Sequence, residues 1–304
     1  MPSRAKAVVF SVAVLLAAGL LSDPFPAVAA GEGLRIDLRI HGGYSRLAAA
    51  DVNKGSGGMF EFYKLFAEYG DYTYEGGYEP LHGGYDAGAD AILMLSSRLG
   101  VGIGVGFLRS VGPAAATLTD PAGSVMSFSG GSVLSALPVR LGLYYTLPLT
   151  GRLSLTANAG GAFYALLRFH DRFHVEADSI YVTQEITVNR TSLSKNLGFQ
   201  GGLGLEYRVT SKWAAFVEIQ GRYARFGRIG SASLYAASAE GGEQTRKGIV
   251  YLRTQTLAAD PPMVWNAWLV QDTPPTSDPP DIVITEPKFD LSGFCLQAGV
   301  RIRL

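Results

Sequence analysis

Along residues 153–167 this chain alternates. Leu153, Leu155, Ala157, Ala159, Phe163, Ala165 and Leu167 hold one parity, while Ser154, Thr156, Asn158, Gly160, Ala162 and Tyr164 hold the other. A period of two places the two sets on opposite faces of a strand, one apolar and one small or polar. Seven further segments repeat the pattern, which restricts the chain to a sheet with two unlike faces.

Those segments are residues 34–44, 85–95, 99–108, 133–147, 197–207, 213–226 and 289–304. In the first, Leu34, Ile36, Leu38 and Ile40 alternate with Arg35, Asp37, Arg39 and His41. In the third, Val101, Ile103, Val105 and Phe107 alternate with Gly100, Gly102, Gly104 and Gly106. Three connections are tight: 96–98, 148–151 and 209–212. Four are long: 45–84, 109–132, 168–196 and 227–288. Short turns at one end and long loops at the other are the asymmetry of outer-membrane β-barrels.

Composition agrees. The chain is 47% hydrophobic and only 17% charged, with 38 glycines, whereas soluble domains carry nearer ~25% charge. Past residue 30 no apolar run reaches the ~18 residues of a transmembrane helix. A barrel spreads its lipid-facing residues over alternate positions instead. The net charge of +0 gives no reason to expect a nucleic-acid partner. The single cysteine, Cys295, excludes an internal disulfide framework.

The N-terminus reads as a processing signal. Arg4 and Lys6 precede an apolar stretch, and Ala27-Val28-Ala29 is an A-x-A cleavage pattern. Residues 1–29 are therefore expected to be a signal peptide and residues 30–304 a single β-barrel domain.

The expected fold is all-β: a transmembrane, antiparallel, up-and-down barrel of eight strands with four long extracellular loops. Ten strands is the alternative, because 249–257 and 263–270 could add a pair. Their alternation is poor, and the surrounding prolines read as irregular chain. The upper part of the fifth segment, 169–176, could form a projecting hairpin with 180–188. Eight strands enclose a bore that side chains just fill. The inward parity carries Arg35, Asp37, Arg39, Asp86, Asp90, Arg140, Glu206, Arg208, Glu218, Arg222, Arg301 and Arg303. With both signs present, a salt-bridge network filling the lumen is the simpler expectation and a polar path the sharper one.

The leader, the eight alternating segments, the three tight turns and the ending Gly299-Val300-Arg301-Ile302-Arg303-Leu304 resemble the small outer-membrane β-barrel superfamily. That group includes the transmembrane domain of outer membrane protein A and the opacity-type surface proteins. The resemblance is architectural and covers nearly the whole mature chain. It implies residence in a bacterial outer membrane, contact with its lipid and lipopolysaccharide, and insertion by the barrel-assembly machinery. It implies no cofactor. The family's last strand commonly ends in an aromatic residue, and here the last residue is Leu304.

Candidates for chemistry are few. His170 and His174 share a parity without a fixed separation, so a metal site is a weak prospect and solvated loop histidines the plainer one. Some small barrels modify lipids, and His82 near Asp86 or His41 near Ser45 could supply fragments of a catalytic group, but neither is a complete constellation. The first long loop is aromatic. Residues 59–69 fit a short helix with Phe62, Phe66 and Tyr69 on one face. With Phe60 and Tyr63 these form either a lid over the barrel mouth or a surface that binds an unidentified extracellular ligand. The leading functional expectation is a non-enzymatic envelope or surface-interaction protein. The alternatives are a narrow channel for small or apolar solutes and, less favoured, a lipid-modifying enzyme.

Overall fold

The computed structural model describes residues 35–177, 180–190, 196–227, 231–258, 262–273 and 279–304. The proposed leader lies outside them. In chain order the elements are β1 (Arg35–Leu47), α1 (Ala50–Tyr69), β2 (Thr73–Tyr78), β3 (Gly83–Met94), β4 (Leu99–Thr119) and β5 (Val125–Pro148). Next come β6 (Leu153–Ala177), β7 (Ile180–Arg190), β8 (Leu197–Arg208), β9 (Trp213–Tyr223), β10 (Arg225–Phe226) and β11 (Ala232–Ser238). The last are β12 (Gly242–Leu257), β13 (Met263–Gln271), β14 (Ile282–Thr285), β15 (Phe289–Asp290) and β16 (Gly293–Arg303).

Eight of these strands form a ring in which every pairing is antiparallel: β1, β3, β4, β5, β6, β8, β9, β16 and back to β1. No ring strand presents an open edge along its ring segment, so each backbone polar group there has a neighbour. The eight ring strands coincide with the eight alternating segments. β12 and β13 pair with each other outside the ring, which leaves the ring at eight.

The three tight turns share one device. Ser96 Oγ accepts from Leu99 N at 3.0 Å, Thr150 Oγ1 from Leu153 N at 3.1 Å, and Thr210 Oγ1 from Trp213 N at 3.0 Å. A hydroxyl three residues before the returning strand satisfies the first backbone donor of that strand.

At the opposite end the expected loops are largely strands. β4 and β5 run on as one hairpin, closed where Asp120 Oδ1 accepts from Ser124 N at 2.8 Å. β6 continues upward with β7 as the projecting hairpin. The sheet then extends through β11 and β12 to β13, with β2 on the outer edge of β4. Its two edge strands, β2 and β13, both touch α1, as do β4, β5 and β6 between them. The sheet is therefore wrapped around the helix.

The alternation inverts part-way up the long strands. On β4 the inward parity runs Gly100, Gly102, Gly104, Gly106 within the ring, then Leu108, Ala114, Ala116 and Leu118 above it, the last four all buried. The outward parity runs Ile103, Val105 and Phe107, all exposed, then Arg109, then Val111, Pro113 and Ala115, also exposed. On β5 the outward residues change from Leu143 and Leu141 to Ser135, Ser129 and Ser127. On β6 they change from Leu155 to Arg168, His170, Arg172 and His174, while Phe169, Phe173 and Val175 turn inward. Below the Arg109–Ser135–Arg168 row the outer face is apolar. Above it the inner face becomes apolar, and the outer face turns mixed on β4 and β5, where Val111 and Val133 pair directly above the row, and polar on β6.

Several sequence-based boundaries shift. Leu167, expected on the outer face, is fully buried. The pairing of β5 with β6 slips between Leu137 and Pro138, so that Ala165 is the extra residue and everything beyond it changes face. The seventh ring strand ends at Tyr223 rather than Phe226, because Arg225 and Phe226 leave to pair with Asp290 and Phe289. The eighth begins at Gly293 for the same reason. The helix starts nine residues earlier than the expected 59–69, at Ala50.

Glycines on the inner face of β4 make room for larger neighbours. A Cβ on Gly104 would overlap the Asp90 carboxylate and stand 2.8 Å from the Ala89 carbonyl oxygen. Gly104→Leu is expected to cost about 1–3 kcal/mol through overpacking. Gly151→Ala, in a turn with nothing within 4 Å, should stay within about 0.5 kcal/mol. Urea titration of the two variants beside the parent measures both.

Candidate functional site

Inside the ring the charged residues meet one another. Nearest the tight turns, Arg301 bonds Asp37 at 2.5 Å and Glu206 at 3.1 Å, and donates to Thr146 Oγ1 at 3.2 Å. Thr146 is on β5, the strand opposite β16 in the ring, so this guanidinium crosses the full bore. Arg303 adds a 3.4 Å contact to Glu206, and Arg35, partly exposed at the rim, bonds Asp37 at 3.0 Å. Arg208, on the same parity, is exposed at the rim.

One step higher, Arg39 bonds Glu218 at 2.9 Å. Its guanidinium lies 4.0 Å from the Phe216 ring centroid and 5.6 Å from that of Tyr144. Glu218 also accepts from Gln297 Nε2 at 2.7 Å. Next, Arg140 reaches from β5 to Asp90 at 3.1 Å and to His41 Nε2 at 2.9 Å. Asp90 also stands 3.5 Å from His41. Higher still, Arg222 bonds Asp86 at 2.9 Å and donates to Ser45 Oγ at 3.1 Å and to the Leu291 carbonyl at 2.9 Å. At each level at least one arginine spans the interior. Arg39, Arg140, Arg222, Arg301 and Arg303, with Arg35 at the rim, stand against Asp37, Asp86, Asp90, Glu206 and Glu218, six guanidinium groups to five carboxylates.

Above this network Leu47, Leu81, Leu108, Leu134, Tyr164 and Leu291 close into one apolar layer with Ala49 and Val52, where α1 begins. Asn53 fixes the helix there: its Oδ1 accepts from Leu81 N at 2.7 Å and from the Tyr78 hydroxyl at 3.1 Å. Gly55 and Gly58 allow β13 to approach, since a Cβ on either would strike the Trp268 ring or the Asn266 carbonyl. Further along α1, Phe60 is buried edge-on to Phe173, with centroids 5.3 Å apart. Tyr63 lies 4.5 Å from Phe128, and Phe62 lies 5.1 Å from Trp265. Phe66 and Tyr69 are exposed. Of the five aromatic candidates, two face the mini-core, one packs on β13 and two meet solvent.

The histidine pairings are not assembled. His170 and His174 each bond a threonine of β7, Thr187 at 3.2 Å and Thr183 at 2.7 Å, with Arg172 between them. Ser45 is engaged by Arg222 rather than His41, and Asp86 is turned into the ring while His82 is exposed. His41 is buried among charged partners rather than solvated. No group of three metal-ligating side chains occurs among the described residues.

The sequence did not single out Asp171. It is a buried carboxylate on the inner face of β6, held by the Ser132 hydroxyl at 2.5 Å. Ser56 of α1, Trp268 of β13 and Tyr78 of β2 surround it, and it forms no ion pair among the described residues. Burial pushes its carboxyl above the ordinary range, and burial likewise pushes the Tyr78 hydroxyl up to about 12. Its only cue was a charge on the parity that becomes apolar above Leu108.

A scan against protein-family models finds none that matches this chain, and a search of curated proteins finds no significant match.

Two predictions test this interior. Arg39→Met leaves Glu218 buried without its charge partner and is expected to cost about 3–5 kcal/mol. Adding Glu218→Gln removes the stranded charge and should recover most of that loss in the same urea titration. The second concerns Asp171. A raised pKa means the docked state binds the proton more tightly than the undocked state. Docking of α1 should be strongest below the ordinary carboxylate value of about 4 and weaken as pH rises through the raised value. In a Trp213→Phe background, the emission of Trp265 and Trp268 should report this change, and Asp171→Asn should flatten it.

Proposed function

We propose that this chain is an integral outer-membrane protein: a closed eight-stranded β-barrel whose lumen is filled, with a structural or surface-interaction role and no catalysis. The observation that carries the reading is the inversion of the alternation at the Arg109–Ser135–Arg168 row. The change is clearest on β6, which turns Leu155 outward below and Arg168, His170 and Arg172 outward above, as a strand does when it passes from an apolar to an aqueous surrounding. A water-soluble protein rarely exposes an apolar surface as extensive as the lower wall. A bilayer requires one, and requires closed pairing beneath it. No helix among the described residues is long and apolar enough to cross a membrane.

The filled interior favours the closed barrel over the narrow channel. The inward glycines, which leave space on paper, are occupied by Ile92, Tyr144, Asp90 and Arg140. The apolar layer and the start of α1 lie over the same bore. The resemblance to the small outer-membrane barrels, with lipopolysaccharide as neighbour and the barrel-assembly machinery as inserting partner, belongs to this proposal. So does a cleaved leader. The upper storey, rather than the ring, is then the part offered to partners outside the cell.

Refolding into lipid vesicles with protease digestion tests the membrane reading, and planar-bilayer recording of the same protein tests the closed lumen. Protected ring strands and a flat current trace are expected. Digestion of the ring strands would sink the barrel in the membrane, and discrete openings by inserted protein would establish the channel.

A further inference from the structure

We infer that the row where the alternation inverts is a binding site for the phosphorylated headgroup of a membrane lipid, held by Arg109 and Arg168. The inference rests on the membrane reading above and adds a specific ligand class to it. Arg109 pairs in register with Ser135, and Ser135 with Arg168. All three belong to the outward parity, and both arginines are exposed. Two strand spacings separate them by about 10 Å, with a hydroxyl between.

The arginines inside the ring each have a carboxylate. Arg172, two residues above Arg168, takes Glu185 at 3.4 Å. Arg109 and Arg168 have no ion pair among the described residues. Guanidinium groups on long side chains match phosphate oxygens in geometry as well as charge. Position selects a lipid over a free anion. Directly below Arg109 on the same face are Phe107 and Val105, both exposed, and beside it is Tyr85, also exposed. Acyl chains lying on that apolar wall would bring their headgroup to the arginine row. Amphipathic tyrosines settle at the same depth.

The test uses the full chain refolded into phosphatidylcholine vesicles containing either diphosphoryl lipid A or the same lipid with its phosphates removed. Lipid retained per chain after mild detergent extraction is counted by native mass spectrometry. The phosphorylated lipid should be retained and the dephosphorylated one lost. Arg109→Gln with Arg168→Gln should weaken retention by about tenfold or more, while Arg109→Lys with Arg168→Lys should restore part of it. Equal retention of the two lipids, or unchanged retention by the double glutamine variant, would overturn the inference. Displacement by inorganic phosphate as readily as by lipid would overturn it too, in favour of a free-anion site. Protease protection in the same vesicles separates the two levels of argument. Inserted protein without phosphate preference removes this inference alone, and protein that does not insert removes the membrane reading with it.

Discussion

Closure of the eight-stranded ring is the constraint from which the other features follow. Once β1 pairs with both β3 and β16, the hydrogen bonds of the ring segments are complete and its faces are fixed as inside and outside. The inside is too narrow for separate layers of solvent, so side chains from opposite strands must share it. Arginine suits this role because its long, planar head can reach Thr146 from Arg301, or Asp90 from Arg140, and offer several donors on arrival. The glycines opposite are the counterpart of those long reaches. Gly88 and Gly104 lie where Arg140 and Asp90 would otherwise collide with a side chain. Charge, bore and glycine are thus one solution to the same packing problem.

A filled ring leaves little freedom in its interior and places variability above it. The upper sheet departs from the rule of the lower wall: apolar residues turn in, toward α1, and the outer face turns mixed on β4 and β5 and polar on β6. Its core is built from two clusters, one continuous with the layer that caps the ring and one centred on Phe60, Phe128 and Phe173. The helix therefore belongs to both storeys. Its first turn covers the bore, and its later turns fill the wrapped sheet.

The ring was legible in the sequence because a period of two and a short-long rhythm of connections are local signals that no distant contact alters. The storey above it was not. Residues 54–58, Lys-Gly-Ser-Gly-Gly, read as loop, since each glycine costs about 1 kcal/mol in a helix interior. They are helical because Gly55 and Gly58 admit Trp268 and the Asn266 backbone, a contact more than two hundred residues away in the chain. Residues 249–257 and 263–270 alternate poorly and so read as lying outside the ring; they pair with each other as β12 and β13, with β14 on the other edge of β12. The pairing of arginines with acids inside the ring was legible as composition but not as partners. Which carboxylate each arginine takes depends on the stagger between strands, and the bulge at Ala165 shows how one residue of stagger reassigns a face.

The same bulge ties the two storeys together physically. Below it β6 pairs with β8; above it β6 pairs with β7. The exchange of partner lets one strand leave a closed ring and enter an open sheet without stranding its backbone groups. It occurs within a few residues of the row where the outer face turns from apolar to polar. A strand that changes partner, facing and surroundings over the same short stretch is responding to a single boundary. On the proposed reading that boundary is the surface of the membrane, and Arg109 and Arg168 stand at it because it is the first level on the outer wall where a charge can be solvated or bound.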